Sequence, residues 1–445
     1  MGTVADRSAG RKPLLTLLRI LEMNLGFLGL QFSFGLQQGN MAPIYSYLGA
    51  REANLPFLLL AGPMTGLMVQ PLIGAMSDRT DGRFGRRGPY FIVGAVLCMI
   101  GLFLMPLSGT LVMAGSLLWL LDAGNNITME PYRAYVSDRL DKSQHEIGFL
   151  TQSAFTGLAQ MLAYLMPSIL VWAGMSRDWV DEHGIPYTTR TVFMVGAVLS
   201  IATILWSIRR VPELALTVAE KARIAAQSKT ATATIAEIID AIRDMPVAMR
   251  RLGLMSLFQW YGMWAYWSYV IYAIGRSVYN TDAPASSGFH QAVLTNGQMA
   301  AFYNGVGFIA AFAMVPLARR IGAGPLHAAC LALAGIGMLW LPYVHDRALL
   351  FVPAIGVGIG WASIMGKPYV ILAGTIPPER TGVYMGIFNM MIVVPMMLFA
   401  VTFPLYYSPW LGNDPRHVLT MAGILLLLAA ASVLRVREGR TAGRA

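Results

Sequence analysis

The stretch GAMSDRTDGRFGRRGP at residues 74–89 decides the fold class of this 445-residue chain. It joins two apolar runs and places Asp78 beside four arginines, namely Arg79, Arg83, Arg86 and Arg87. A short connection this basic between membrane spans faces the cytoplasm, because positive charge is retained on that side. The stretch therefore predicts two membrane-crossing helices that are joined by a cytoplasmic loop.

The composition of the whole chain is that of a membrane protein. Hydrophobic residues make up 56% of it and charged residues only 13%, with a mean hydropathy of +0.55. A soluble domain would carry about 25% charged residues. A helical span needs about 20 apolar residues, and twelve such segments can be placed. They lie at roughly 16–39, 55–77, 89–108, 111–137, 147–174, 190–209, 250–275, 297–318, 324–343, 348–374, 381–407 and 416–435.

The net charge of +10 reflects membrane topology rather than a surface for nucleic acid. Roughly 25 of the 33 Lys and Arg residues lie at the chain ends and in alternate connections. About six lie in the other connections, namely Arg51, Arg177, Arg190, Arg276, Arg347 and Arg416. This alternation repeats the positive-inside rule, so we expect both termini in the cytoplasm, a lipid bilayer as partner and no nucleic acid.

A long polar stretch divides the chain. Residues 210–250 are predicted to be a cytoplasmic linker between an N-terminal six-helix half, residues 1–209, and a C-terminal half, residues 251–445. A Pro-Tyr pair at 131–132 in the fourth span is repeated at 368–369 in the tenth. Two such pseudo-symmetric halves resemble the major facilitator fold, in which substrate binds near the bilayer midplane between the halves.

The fourth span contains several polar groups at membrane depth, where an ionisable residue is costly and is therefore a functional candidate. Asp122 lies near mid-span with no local cation, and burial favours its protonated form. We predict that Asp122 couples transport to protons and accepts hydrogen bonds from substrate when ionised. The alternative is a buried acid that neighbouring amides satisfy. Glu130 and Arg133 are three residues apart and are predicted to form a structural pair.

Amide side chains are the other candidate substrate ligands, because each offers both donors and acceptors to a hydroxyl-rich ligand. They are Gln31 and Gln37 in the first span, Gln70 in the second, Asn126 in the fourth and Gln152 in the fifth. The alternative role of such amides is hydrogen bonding between helices.

The basic loop is predicted to act as a gating latch that holds the cytoplasmic side closed in one state. Its members are Asp78, Arg79, Arg86 and Arg87. The alternative is that these charges only direct topology.

Four motifs, in order along the chain, resemble the sucrose/maltose–proton symporter branch of the glycoside–pentoside–hexuronide transporters, which includes the plant sucrose carriers. They are QFSFGLQQ at 31–38, GPMTGLMVQPLIGAMSDR at 62–79 with FGRRGP at 84–89, LDAGNN at 121–126 with PYRAYVSD at 131–138, and GVYMGIFNMMIVVP at 382–395. The resemblance implies that the family's coupling and sugar-contacting Asp is Asp122. It also places the family's site amides and helix 4 cation at Gln31, Gln37, Asn126 and Arg133.

The chain departs from that branch at a few positions. Gly88 stands where many members carry a third arginine, and Met396 where many carry Gln. Glu130 stands where the plant proteins are usually uncharged, so it stays open as the coupled carboxyl. The sodium-coupled melibiose branch uses acids in helix 2, whereas residues 55–77 contain no Asp or Glu, which favours protons.

The sequence therefore predicts a monomeric, proton-coupled symporter that imports a disaccharide of the sucrose or maltose type by alternating access, in the inner or plasma membrane. Two other functions stay open, namely a proton antiporter that exports amphiphilic compounds and a non-transporting membrane sugar sensor. We expect no cofactor and no nucleotide site, because no Walker-type GxxxxGK[ST] sequence occurs. We also expect no metal site, because the two cysteines, Cys98 and Cys330, each lie within an apolar run. No nucleophile–base pair or metal cluster indicates an enzyme.

Overall fold

The computed structural model describes residues 12–80, 82, 84–214, 217, 222, 240, 242–373 and 381–436. This part of the chain contains twelve long helices and no β-strand, which confirms the predicted all-α membrane fold. The helices are α1 (Leu17–Tyr47), α2 (Ala61–Arg79), α3 (Gly88–Leu104), α4 (Leu111–Arg139), α5 (His145–Trp172), α6 (Tyr187–Arg210), α7 (Val247–Val278), α8 (Ser287–Ile321), α9 (Ala323–Trp340), α10 (Phe351–Ala373), α11 (Thr381–Leu411) and α12 (Pro415–Val433).

Nine helices in the described ranges are long and apolar enough to cross a membrane by composition alone. The three long helices outside that set are α1, α4 and α7. The first two contain the predicted site residues Gln31, Gln37, Asp122 and Asn126. Polar groups at membrane depth lower the hydropathy of a span, and the helices that carry them are therefore candidates for function.

Two helices extend at one end by at least eight residues beyond the predicted span. Helix α1 continues to Tyr47, beyond the predicted end at residue 39, because the polar run at 37–40 stays helical. Helix α8 begins at Ser287 rather than at residue 297. Ser286 caps it, accepting a hydrogen bond from the Phe289 backbone N–H at 3.1 Å, as helix N-caps commonly do.

The chain forms two compact units. One holds the described residues of Met1–Ile44, Met64–Leu170 and Trp179–Ser228. The other holds those of Tyr45–Pro63, Val171–Asp178 and Lys229–Ala445. Most of the predicted linker at 210–250 lies outside the described residues, so the division into residues 1–209, 210–250 and 251–445 stays a prediction.

Close backbone contact fixes helix α4 in the first unit. A Cβ atom on Gly124 would lie 2.9 Å from the Cys98 amide nitrogen and the Gly94 carbonyl oxygen of α3. Glycine at such crossings lets membrane helices approach closely. Further along α4, the fully buried Tyr132 donates to the Met23 carbonyl oxygen of α1 at 2.5 Å. These contacts set the rotation of α4, and with it the direction of its polar side chains.

Buried polar contacts join the helices of the second unit. His327 on α9 is fully buried, with Nδ1 2.7 Å from Ser363 Oγ on α10 and Nε2 3.1 Å from Gln259 Oε1 on α7. Glu52, which precedes α2 in the chain, accepts hydrogen bonds from Arg276 of α7 at 3.1 Å and from Tyr407 of α11 at 2.6 Å. A buried histidine with both ring nitrogens engaged is satisfied without a ligand.

Candidate substrate and proton site

A cluster of polar side chains lies in the apolar interior of the first unit. Helix α4 contributes Asp122, Asn125 and Asn126, all of which are buried, with Asp122 0% exposed. Burying an ionisable carboxyl away from water is costly unless it is hydrogen-bonded or protonated. The contacts of each oxygen therefore indicate what Asp122 can do.

The two oxygens of Asp122 have different surroundings. Oδ1 accepts a hydrogen bond of 2.5 Å from Gln37 Nε2 on α1. Oδ2 is buried and has no hydrogen-bond partner in the described part of the chain. One oxygen is thus held by the protein, and the other is free to take a proton or a hydroxyl group from a ligand.

Asn126 lies one turn beyond Asp122 and faces α2. Its Nδ2 donates to Thr65 Oγ1 at 3.0 Å and to the Asp122 carbonyl oxygen at 2.8 Å. Its Oδ1 accepts from Gln70 Nε2 at 2.5 Å. The structure therefore brings four of the predicted ligands, Gln37, Gln70, Asp122 and Asn126, into one hydrogen-bonded group on three helices.

The other two predicted amides lie apart from that group. Gln31 Oε1 accepts a hydrogen bond from Gln160 Nε2 on α5 at 3.2 Å. Gln152, also on α5, is buried, and its Nε2 has no partner among the described residues. No hydrogen bond in the described ranges joins Gln31 or Gln152 to Asp122. Their part in binding stays a prediction, and the contact of Gln31 is of the helix–helix kind.

Glu130 and Arg133 form the ion pair that their spacing allows. Arg133 Nη1 lies 3.1 Å from Glu130 Oε1, and the two side chains are 51% and 32% exposed. An exposed pair of this kind contributes little to stability. Neither side chain has a hydrogen bond to Asp122 in the described part of the structure.

The basic loop between α2 and α3 gathers charges around one arginine. Arg87 is buried, and its guanidinium donates to Asp78 at 2.6 Å, to Asp138 at the end of α4 at 2.9 Å and to Ser77 at 2.5 Å. Arg86 adds a contact of 2.9 Å to Asp78. Arg79 ends α2, but its side chain lies outside the described residues. The predicted latch residues Asp78, Arg86 and Arg87 thus act together in tying α2 to α4.

A third acidic residue joins this loop from a distant part of the sequence. Glu213, which follows α6, accepts hydrogen bonds from the backbone N–H groups of Arg86, Arg87 and Gly88, at 2.6–3.0 Å. These groups are at the start of α3, where unpaired N–H groups and the helix dipole favour an anion. Glu213 therefore holds the chain after α6 against the start of α3.

The sequence profile of the Major Facilitator Superfamily matches residues 23–400. This chain belongs to that superfamily. Its members are membrane transporters, which confirms that the chain is an integral membrane transporter rather than an enzyme, and that it has the major facilitator fold of two six-helix halves.

Several known proteins and solved structures resemble this chain. "Sucrose transport protein SUC4" of Arabidopsis thaliana is 24% identical, covering 90% of this chain and 88% of its own. The "General alpha-glucoside permease" of Schizosaccharomyces pombe is 25% identical over 58% of this chain and 48% of its own. Crystal structures of the nucleoside transporter NupG and of a D-xylose-proton symporter match its fold with TM-scores of 0.73 and 0.67, at 13% and 15% identity. They cover 94% of this chain, and 99% and 97% of their own chains.

Sequence analysis missed several members of these clusters in this superfamily protein. Asp138 lies in the quoted motif PYRAYVSD, but no partner for it could be predicted from the sequence. Glu213 lies just after the basic end of the sixth predicted span, and nothing else in the sequence indicated a role for it. The sequence indicated no role for Thr65, because the hydroxyl of a threonine within an apolar span usually bonds to a backbone carbonyl of its own helix. No group of three or more His, Cys, Asp or Glu in the described ranges could hold a metal ion.

Proposed function

We propose that this transporter is a proton-coupled symporter that imports a disaccharide, of the sucrose or maltose type, by alternating access. The observation that carries the proposal is the partnerless, buried Oδ2 of Asp122 beside a set of amides. Two relatives are named as a sucrose transport protein and an alpha-glucoside permease, which supports a glucoside as the substrate.

Asp122 is the proposed proton carrier. A proton that arrives from outside binds Oδ2, which makes the carboxyl neutral at membrane depth and allows it to donate a hydrogen bond to a sugar oxygen. When the site opens inward, the proton leaves, the carboxylate forms again, and Gln37 stabilises it through Oδ1. Gln70 and Asn126 present amide groups close by that can bind sugar hydroxyls.

The proposal extends to location and partners. The basic chain ends and loops favour cytoplasmic termini and an inner or plasma membrane, according to the positive-inside rule. The transporter is proposed to work as a monomer, with the sugar, protons and lipid as its partners and with no cofactor.

Uptake into proteoliposomes tests this function. Purified protein is expected to concentrate labelled sucrose or maltose when the outside is acidic, and a protonophore is expected to abolish the effect. At zero membrane potential, one pH unit supports up to about tenfold accumulation for one proton per sugar. Proton-driven efflux of an amphiphile without sugar uptake would indicate the antiporter instead. Sugar binding without any uptake would indicate the sensor.

Neutralising Glu130 is expected to have little effect on coupling. Glu130→Gln removes one exposed ion pair that contributes about 0.5 kcal/mol or less, so accumulation should stay within about twofold of the unchanged protein. The measurement is uptake under an imposed pH gradient, with Arg133→Gln as the matched variant. If Glu130→Gln abolishes accumulation while Asp122→Asn retains it, the coupled carboxyl is Glu130.

A further inference from the structure

A chain of hydrogen bonds runs from a buried thiol to Asp122. Cys98 Sγ on α3 donates to Asn125 Oδ1 on α4, with 3.1 Å between the two atoms. Asn125 Nδ2 donates to Gln37 Oε1 at 3.4 Å, and Gln37 Nε2 donates to Asp122 Oδ1 at 2.5 Å. All four side chains are buried, and Cys98, Asn125 and Asp122 are 0% exposed.

The direction of this chain has a chemical consequence. An ionised carboxylate only accepts hydrogen bonds, so Gln37 must turn its NH2 group toward Asp122 and its carbonyl toward Asn125. Asn125 must then turn its own NH2 group toward Gln37, which leaves its carbonyl oxygen facing Cys98. A thiol supplies the S–H donor that this oxygen needs. If either amide reversed, two carbonyl-type oxygens would face each other without a proton between them.

We propose that Cys98 and Asn125 are positioning residues that keep the Gln37 amide oriented toward Asp122, and so set the pH range in which Asp122 exchanges its proton. The inference rests on the proposed function, in which Asp122 is the proton carrier. Besides Asp122, the titratable side chain in this hydrogen-bond network is Cys98 on α3. The other two members of the network, Gln37 on α1 and Asn125 on α4, are uncharged amides.

The other explanation for Cys98 is packing alone, since a buried thiol also behaves as a small hydrophobic group. Variants that change the hydrogen-bond donor at position 98 separately from the side-chain volume distinguish the two explanations. Cys98→Ser keeps an O–H donor in a slightly smaller side chain, whereas Cys98→Ala removes the donor. A packing role would make both variants behave alike.

The test measures the pH at which proton-driven sugar uptake is half-maximal. Cys98→Ala is expected to move it upward by about half a unit to one unit, because a less well-oriented Gln37 stabilises the carboxylate less. Cys98→Ser is expected to restore the value of the unchanged protein. Asn125→Leu is expected to act like Cys98→Ala, and the double variant should add little, as expected for members of one network.

The chain offers a matched control. Cys330→Ala removes the other buried cysteine, which lies on α9 in the second unit, and it is expected to leave the pH profile unchanged. Equal shifts in Cys98→Ala and Cys98→Ser, or no shift in either, would overturn the positioning role.

A second readout separates this inference from the proposed function. The infrared C=O band of the protonated carboxyl, identified by its loss in Asp122→Asn, can be titrated in purified protein without any transport. If that titration shifts in Cys98→Ala but not in Cys98→Ser while the protein moves no sugar, the positioning role stands and symport falls. If sugar uptake is proton-driven and neither variant shifts the band, only the positioning role falls.

Discussion

Asp122→Asn is expected to abolish concentrative sugar uptake, so that the internal sugar level no longer exceeds the external one under a pH gradient. An amide cannot bind and release a proton during the transport cycle, so sugar movement is no longer coupled to the proton gradient. The initial rate is expected to fall by about 10- to 100-fold, the range for losing hydrogen bonds to a charged group. The measurement is time-resolved uptake of labelled disaccharide into proteoliposomes.

The structure supplies the reason that the variant should still fold. Asn is close to Asp in size, and its Oδ1 can accept the hydrogen bond from Gln37 that Asp122 accepts now. Removing the charge also removes the cost of burying it. Exchange of labelled for unlabelled sugar without a gradient is therefore the control for an intact site. Continued accumulation in Asp122→Asn would contradict the coupling assignment.

Part of this site could be predicted because helical periodicity relates residues within one helix. Asp122 and Asn126 are one turn apart, so the sequence alone placed them on one face of α4. Gln37 was predicted as a ligand from its residue type and from the family resemblance. Its direct contact with Asp122 depends on the relative height and rotation of α1 and α4, which no spacing rule within a single helix determines.

The partners that the sequence missed are those whose role depends on contacts between helices. A cysteine in an apolar run is ordinarily a small packing residue. The contact of Cys98 with Asn125 could therefore not be predicted, because it depends on how α3 and α4 pack together. The close contact at Gly124 produces that placement. In the same way, Gln31 looked equivalent to Gln37 in the sequence, but its contact is with Gln160 of α5.

In the basic loop, likewise, contacts between neighbouring residues could be predicted, but a contact from a distant residue could not. The proximity of Asp78 to Arg86 and Arg87 predicted that these charges act together, and the ion pairs are present. The contribution of Glu213 could not be predicted, because more than 120 residues separate it from the start of α3. A carboxylate at a helix N-terminus is a common arrangement, but the sequence does not indicate which helix a distant acid will reach.

Arg87→Ala is expected to destabilise the protein far more than Arg86→Ala, although the two arginines are adjacent. The Arg87 side chain is 3% exposed and contacts Asp78, Asp138 and Ser77, whereas the Arg86 side chain is 19% exposed. Removing Arg87 takes away the closest cation of Asp78 and Asp138, which then keep only Arg86, at 2.9 Å and 3.9 Å, among the described residues. Because those carboxylates are partly exposed, we expect a loss of about 2–3 kcal/mol, below the range for a fully buried pair.

Thermal unfolding of the purified protein in detergent measures this difference. A dye that becomes fluorescent on reaction with thiols reports unfolding, since the free cysteines Cys98 and Cys330 are both buried. Arg87→Ala is expected to lower Tm by about 2–3 °C, and Arg86→Ala by less than half as much. Sugar uptake is expected to follow the same order, because a loosened α2–α4 connection disturbs the helices that hold Gln70 and Asp122. An equal loss in both variants would mean that total positive charge, rather than the buried position of Arg87, is what the loop requires.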